Sequence, residues 1–221
     1  MLIDCLYPFP EYPEMIERGL RSLELNPEDI CAVVLTHGHF DHFGRADYFR
    51  DRYGATIYMS RTDYEAFNPE VMKHGPNRIH FTVENFIGEG DVLTFGGTSI
   101  HVFETPGHSP GSLSFIFNVT DEGRPHTICT WGGSGLPVTR GNRKLYAESA
   151  RRFAQVCREY GVDAEFANHP FVDMSLPRYE ICRSIIKGVA NPFVIGNDAI
   201  ARYVETLAQM AEDSIAQMPE E

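Results

Sequence analysis

Four potential metal ligands fall within six residues in the run Thr36-His37-Gly38-His39-Phe40-Asp41-His42. Imidazole nitrogens and a carboxylate oxygen at this density suit zinc or a similar divalent ion. A polar loop that is merely rich in histidine is the alternative. The order H-x-H-x-D-H, placed directly after an apolar run, argues for the metal instead. Two further histidines have distinctive settings. His108 lies in Thr105-Pro106-Gly107-His108-Ser109-Pro110-Gly111-Ser112, where two prolines and two glycines fix an unusual loop path. A polar residue in a tight turn would also explain it. His169 lies in Asn168-His169-Pro170, after a strand end, and alone is a weak signal. His74, His80, His101 and His126 lack such settings and read as surface or structural, with His80 and His101 on strand faces.

These residues need a scaffold that aims them. Cys31-Ala32-Val33-Val34-Leu35 reads as a buried strand, 32–36, and residues 43–53 as a helix closed by Gly54. The first cluster therefore sits on a strand-to-helix loop. Upstream, 2–6 is a strand candidate and 13–25 a helix, with Pro13 in its first turn and Asn26-Pro27 ending it. Residues 55–59 form a strand. The stretch 61–89 is irregular, with a short helix at 62–67 and then Pro69, Gly75 and Pro76; such connections often serve as binding loops or lids.

Four short strands follow at 92–95, 99–103, 113–119 and 127–131, with turns at Gly96-Gly97 and Asp121-Glu122-Gly123. Helices are expected at 144–160, 178–188 and 198–217, and a last short strand at 164–167. The stripe Ile200, Tyr203, Val204, Leu207, Met210 and Ala211 has helical spacing and reads as core packing. No linker divides the chain, so residues 1–221 read as one layered α/β domain.

The chain has 221 residues, enough for a well-buried core, and 43% of them are hydrophobic. No apolar stretch reaches the roughly 20 residues of a membrane helix. With 19 basic and 31 acidic residues the net charge is −12, which argues against a phosphate-backbone binder. Cys5, Cys31, Cys129, Cys157 and Cys182 are odd in number and scattered, as expected of buried thiols in a reducing compartment. The amino terminus shows no secretory signal. A cytoplasmic location is expected for the chain as given, and a periplasmic or secreted one if a missing amino-terminal segment carries a signal. The expected partner is a small-molecule substrate, with neither nucleic acid nor membrane.

In His37-Gly38-His39-Phe40-Asp41-His42, Thr105 to Ser112 and Asn168-His169-Pro170, in that order, the chain resembles the metallo-β-lactamase superfamily. Leu2-Ile3-Asp4 also resembles that family's strand before its first helix. The resemblance implies an α/β fold, a four-layer αββα sandwich, here lacking the usual first strands. It further implies a binuclear site with two zinc ions per chain: His37, His39 and His108 would hold the first, and Asp41, His42 and His169 the second. Asp41 would also orient the nucleophile.

Many hydrolases of the glyoxalase II type carry a bridging Asp after the strand that follows the third histidine. Here that stretch is Thr130-Trp131-Gly132-Gly133-Ser134-Gly135, with no acid. Cys129 falls too early to match the cysteine ligand of another subclass. The set of five histidines and one aspartate is most similar to the third metallo-β-lactamase subclass, in which a serine orients water or substrate; Ser134 is the nearest match, and a plain loop serine explains it as well. His39 stands where flavodiiron oxygen reductases carry Glu. The implied activity is hydrolysis of a β-lactam or a related lactone, amide or ester. A truncated metal-binding homologue without activity and a glyoxalase-II-like thioesterase are the alternatives. Missing first strands would expose a sheet edge, which implies lowered stability or a homodimer that covers it.

Overall fold

A computed structural model of the chain describes residues 1–68, 78–184 and 190–219. It divides into two compact units. The first comprises residues 1–88 with 109–113, and the second residues 89–108 with 114–221.

The first unit carries a parallel sheet in the order β1 (Leu2–Ile3), β2 (Ala32–Val34), β3 (Thr56–Met59) and β4 (Asn85–Phe86). Leu2 pairs with Val33, Val33 with Ile57, and Tyr58 with Asn85. Parallel neighbours need crossovers, and these are helical: α1 (Glu11–Ser22), the single turn α2 (Phe40–Phe43), α3 (Ala46–Tyr53) and α4 (Arg61–Phe67). All three residues of β2 are buried, as a strand covered on both faces requires. Its core gathers Val33, Leu35, Phe43, Phe49, Ile57 and Met59.

Residues 43–53 are not one helix. The Cys5 N–H takes the His42 carbonyl at 2.7 Å, and Gly44 turns to φ +41°, so α2 stops and α3 restarts at Ala46. Gly54 closes α3 in the left-handed conformation. His80 lies outside any strand, with its Nε2 3.6 Å from the Asp47 carboxylate. Burial works against the Asp47 charge, but the His80 and Arg45 contacts outweigh it and hold this carboxyl at about 2. His74, Pro69, Gly75 and Pro76 lie outside the described residues.

The second unit carries a sheet in the order β5 (Val92–Phe95), β6 (Thr98–Glu104), β7 (Leu113–Asp121), β8 (Arg124–Thr130) and β9 (Ala164–Glu165). The pairs β5–β6 and β7–β8 are antiparallel, and β9 joins β8 in parallel. Both hairpin turns fall where the glycines predict, with positive φ at Gly96, Gly97, Glu122 and Gly123. Helix α5 (Arg140–Glu159) begins four residues before the expected 144, because Thr139 caps it by accepting the Asn142 N–H at 3.2 Å. Helix α6 (Ser175–Arg183) follows; the expected end at 188 lies outside the described residues. Helix α7 (Asn197–Ala216) buries Ile200, Val204 and Leu207 with Trp131, Tyr146 and Phe153 of this unit's core. The expected stripe of α7 is thus core packing, apart from the half-exposed Met210. Cys5, Cys129 and Cys157 are buried, Cys31 and Cys182 exposed, and all five are free thiols. No described helix is long and apolar enough to cross a membrane.

Candidate metal centre

In the first unit, the end of β1 and the loop after β2 build the ligand set together. Asp4, at φ +59°, turns its carboxylate onto that loop. Its Oδ1 accepts the Thr36 N–H at 2.8 Å, and its Oδ2 accepts both the Thr36 hydroxyl at 2.8 Å and His42 Nδ1–H at 2.7 Å. A carboxylate can only accept, so the proton of His42 sits on Nδ1 and its Nε2 bears the lone pair. Burial disfavours the charged form of His42, but the adjacent Asp4 and Asp41 carboxylates raise its pKa on balance. Thr36 has already donated its only hydroxyl proton to Asp4. At 3.0 Å it therefore accepts from His37 Nδ1, which again leaves the lone pair on Nε2. One carboxylate thus sets the tautomers of two histidines.

In the second unit, His108 Nδ1 donates to the Gly135 carbonyl at 2.6 Å, fixing the third histidine in the same tautomer. The loop is shaped for that contact. Gly107 has φ +137°, and a Cβ on it would come within 2.5 Å of the Tyr146 backbone. Gly133 lies against the ring of His108, where a Cβ would stand 2.4 Å from the His108 Cβ. The acid-free stretch after β8 therefore supplies a carbonyl and close backbone approach. Ser134 donates to the Asn168 side-chain oxygen at 2.5 Å, and the Asn168 amide donates to the Gly132 carbonyl at 3.1 Å. Ser134 thereby anchors the residue before His169, whose ring stacks on Phe171 at 5.0 Å.

The ligand atoms of His37, His39 and His108 lie within 4.8 Å of one another, as do those of Asp41, His42 and His169. Three ligands around one zinc, at about 2.0–2.1 Å from it, stand about 3.3 Å apart in a tetrahedron. His42 Nε2 and Asp41 Oδ2 are 3.6 Å apart. The donor types, the lone pairs directed by Nδ1–H bonds and these separations all suit zinc. Sequence reasoning took Asp4 only as part of a strand and passed over Thr36. The visible signal for Asp4 was an acid inside an apolar run.

A sequence model of the metallo-β-lactamase superfamily matches residues 1–121, more than half of the chain. The chain belongs to that superfamily. Within this hydrolase superfamily, it is similar to hydroxyacylglutathione hydrolase GloC of Haemophilus influenzae, with 30% identity over 151 residues, 65% of this chain and 69% of the relative. It is also 30% identical over 125 residues to the probable metallo-hydrolase YqgX of Bacillus subtilis, 54% of this chain and 55% of that one. Among solved metallo-β-lactamases, the subclass B3 protein BJP-1 of Bradyrhizobium japonicum superposes with TM-score 0.77 at 22% identity, over 97% of this chain and 83% of the other. The class B3 di-zinc enzyme LRA-12 from an Alaskan soil metagenome gives 0.74 at 18% identity, over 96% and 83%. Identities this low carry the fold alone: the α/β metallo-β-lactamase fold, with two sheets and helices.

Proposed function

We propose that this superfamily member is a binuclear zinc hydrolase that opens a carbonyl substrate, a β-lactam or a related lactone, amide or ester. In this reading His37, His39 and His108 hold one zinc, and Asp41, His42 and His169 the other. The observation that carries it is the grouping of all six ligand atoms into two sets, each within 4.8 Å. Two zinc ions would supply a water acidified to near neutrality and a Lewis acid for the scissile carbonyl. The chain's own residues do the rest. Asp4 and the Gly135 carbonyl keep the protons of His42 and His108 on Nδ1, so Nε2 faces the metal side. Asp41 stands beside His42 and orients the attacking water. Ser134, tied to Asn168, steadies the loop that bears His169.

The GloC relative favours a second reading, a thioesterase acting on hydroxyacyl thioesters. The acid-free stretch 130–135 weighs against it.

The test is metal analysis of the purified chain together with nitrocefin, lactone and hydroxyacylglutathione assays. About two zinc ions and lactam or lactone turnover, both lost in His39→Ala and His169→Ala, are expected. Thioester turnover alone would select the second reading. Two zinc ions without turnover of any of the three would leave a metal-binding homologue without this activity. Fewer than about one metal per chain at neutral pH would remove the zinc reading altogether.

A further inference from the structure

Asp63, in the first turn of α4, is wholly buried and has no part in the ligand set. Among the described residues no cationic side chain contributes to holding its charge. What it has instead is three donors. Its Oδ2 accepts the Gly38 N–H at 2.7 Å and the Ser109 hydroxyl at 2.6 Å, and its Oδ1 accepts the Gly111 N–H at 2.6 Å. The Asp63 backbone is held by the cap of α4, its N–H donating to the Ser60 hydroxyl at 3.0 Å. Gly38 lies between His37 and His39, and Ser109 directly follows His108. One side chain therefore grips the middle of the first ligand motif and, through the Ser109 hydroxyl and the Gly111 N–H, the loop that leaves the third histidine.

Two glycines make this approach possible. A Cβ on Gly38 would stand 2.2 Å from the Phe67 ring, and one on Gly111 would stand 2.2 Å from the Ser60 hydroxyl and 2.7 Å from the Asp63 N. Both loops thus come closer to α4 than any other residue type permits. Burying a carboxylate without a cation is unfavourable, and it is tolerated only where several donors satisfy it. An apolar residue would leave those donors unpaired. The arrangement therefore serves loop placement better than it serves burial.

We propose that Asp63 is a positioning residue for the first metal group: its carboxylate locks the Gly38 and Gly111 backbones and the Ser109 side chain, and so presets His37, His39 and the loop after His108 before a metal arrives. The proposal rests on the reading of His37, His39 and His108 as zinc ligands. Asp63→Asn keeps the size but replaces one acceptor oxygen with an NH₂ that opposes a donor. Residues supporting ligands in this way typically change metal affinity by 10–100-fold, so zinc affinity, measured by competition with a chromophoric chelator, is expected to fall by about that factor. The cobalt-substituted visible spectrum should shift with it. Ser109→Ala, which removes one of the three bonds and spares the carboxylate, should weaken zinc by about two- to tenfold, and it carries the test if Asp63→Asn does not fold.

A lower melting temperature of the metal-free variants with unchanged zinc affinity would reduce Asp63 to fold stabilisation and overturn the proposal alone. A wild-type chain that binds no zinc would overturn it together with the reading beneath it. Amide exchange on the metal-free chain reads the lock separately. The Gly38 and Gly111 amides should exchange faster in Asp63→Asn, and unchanged exchange there would show that Asp63 holds neither loop.

Discussion

One buried carboxylate of the second unit is satisfied less fully than those of the first. In the first, Asp4, Glu17 and Asp63 each have their oxygens taken up by donors. Glu17, for instance, accepts from Tyr48 at 2.7 Å, Tyr53 at 2.6 Å and Arg21 at 3.3 Å, contacts that hold its carboxyl below the usual range despite burial. In the second, Glu165 at the end of β9 is buried, and its Oε1 meets no donor among the described residues. Burial and the neighbouring Asp173 carboxylate push its pKa up to about 8, against a weaker pull from Arg178. The ligands differ in the same way. The first unit holds four of them on one loop under a carboxylate network, whereas the second supplies His108 and His169 singly, steered by backbone carbonyls, glycines and an amide. Carboxylates there give strong, directional second contacts; backbone contacts depend on how closely the chain can pack.

The largest effect should come from breaking the packing that the second unit depends on. Gly107→Ala places a Cβ against the Tyr146 backbone and holds alanine at φ +137°. A loss of about 3 kcal/mol or more in unfolding free energy is expected. Gly161→Ala is the control: φ is +66° there, but nothing lies within 4 Å of the added Cβ, so about 1 kcal/mol is expected. Chemical denaturation of the metal-free proteins measures both. Equal losses would mean that strained φ, not backbone approach, governs the His108 loop.

A middle-sized effect separates the two kinds of ligand support. Asp4→Asn takes the charge from the hub that orients His37 and His42, and zinc affinity should fall about 10–100-fold. Asn168→Ala breaks the Ser134 contact, a neutral hydrogen bond, and should weaken zinc by no more than about tenfold. Chelator competition on both variants checks this order. A larger loss from Asn168→Ala would reverse the contrast between the units.

The same contrast explains what was legible in the sequence. The strand 32–36 and the dense run His37 to His42 could be read because period, burial and ligand spacing all lie within a dozen residues. His108 could be singled out because its prolines and glycines mark an uncommon loop. Asp63 could not: it sits in a short polar helix 25 residues from Gly38 and 48 from Gly111, and nothing local shows that its partners are two backbone amides and a hydroxyl. Thr36 is an ordinary strand-end threonine until the φ +59° of Asp4 brings a carboxylate to it. The break at Gly44 was hidden because a helix and a turn followed by a helix share the same apolar spacing.

The smallest expected effect tests Glu165 of the second unit, one of whose oxygens meets no donor among the described residues. An unfolded glutamate loses its proton near pH 4.5, whereas Glu165 in the fold keeps it to about pH 8. Below 4.5 both states are protonated, and Glu165 adds no pH dependence. From 4.5 to about 8 the unfolded chain releases the proton and the folded chain does not, so stability falls as pH rises; above that window the penalty is constant. Glu165→Gln removes the titration but keeps a buried polar group whose amide also lacks a full set of partners. The gain over wild type at pH 8.5 should therefore be only about 1 kcal/mol, well below what the pKa shift alone would give. At pH 4 the two proteins should differ little or the variant should be slightly weaker. Thermal melts of metal-free samples across pH 4–9 measure the difference, which cancels the titration common to both. A difference that stays flat from pH 4 to 8.5 would mean that Glu165 ionises normally in the fold, and that the second unit satisfies it as fully as the first satisfies Asp63.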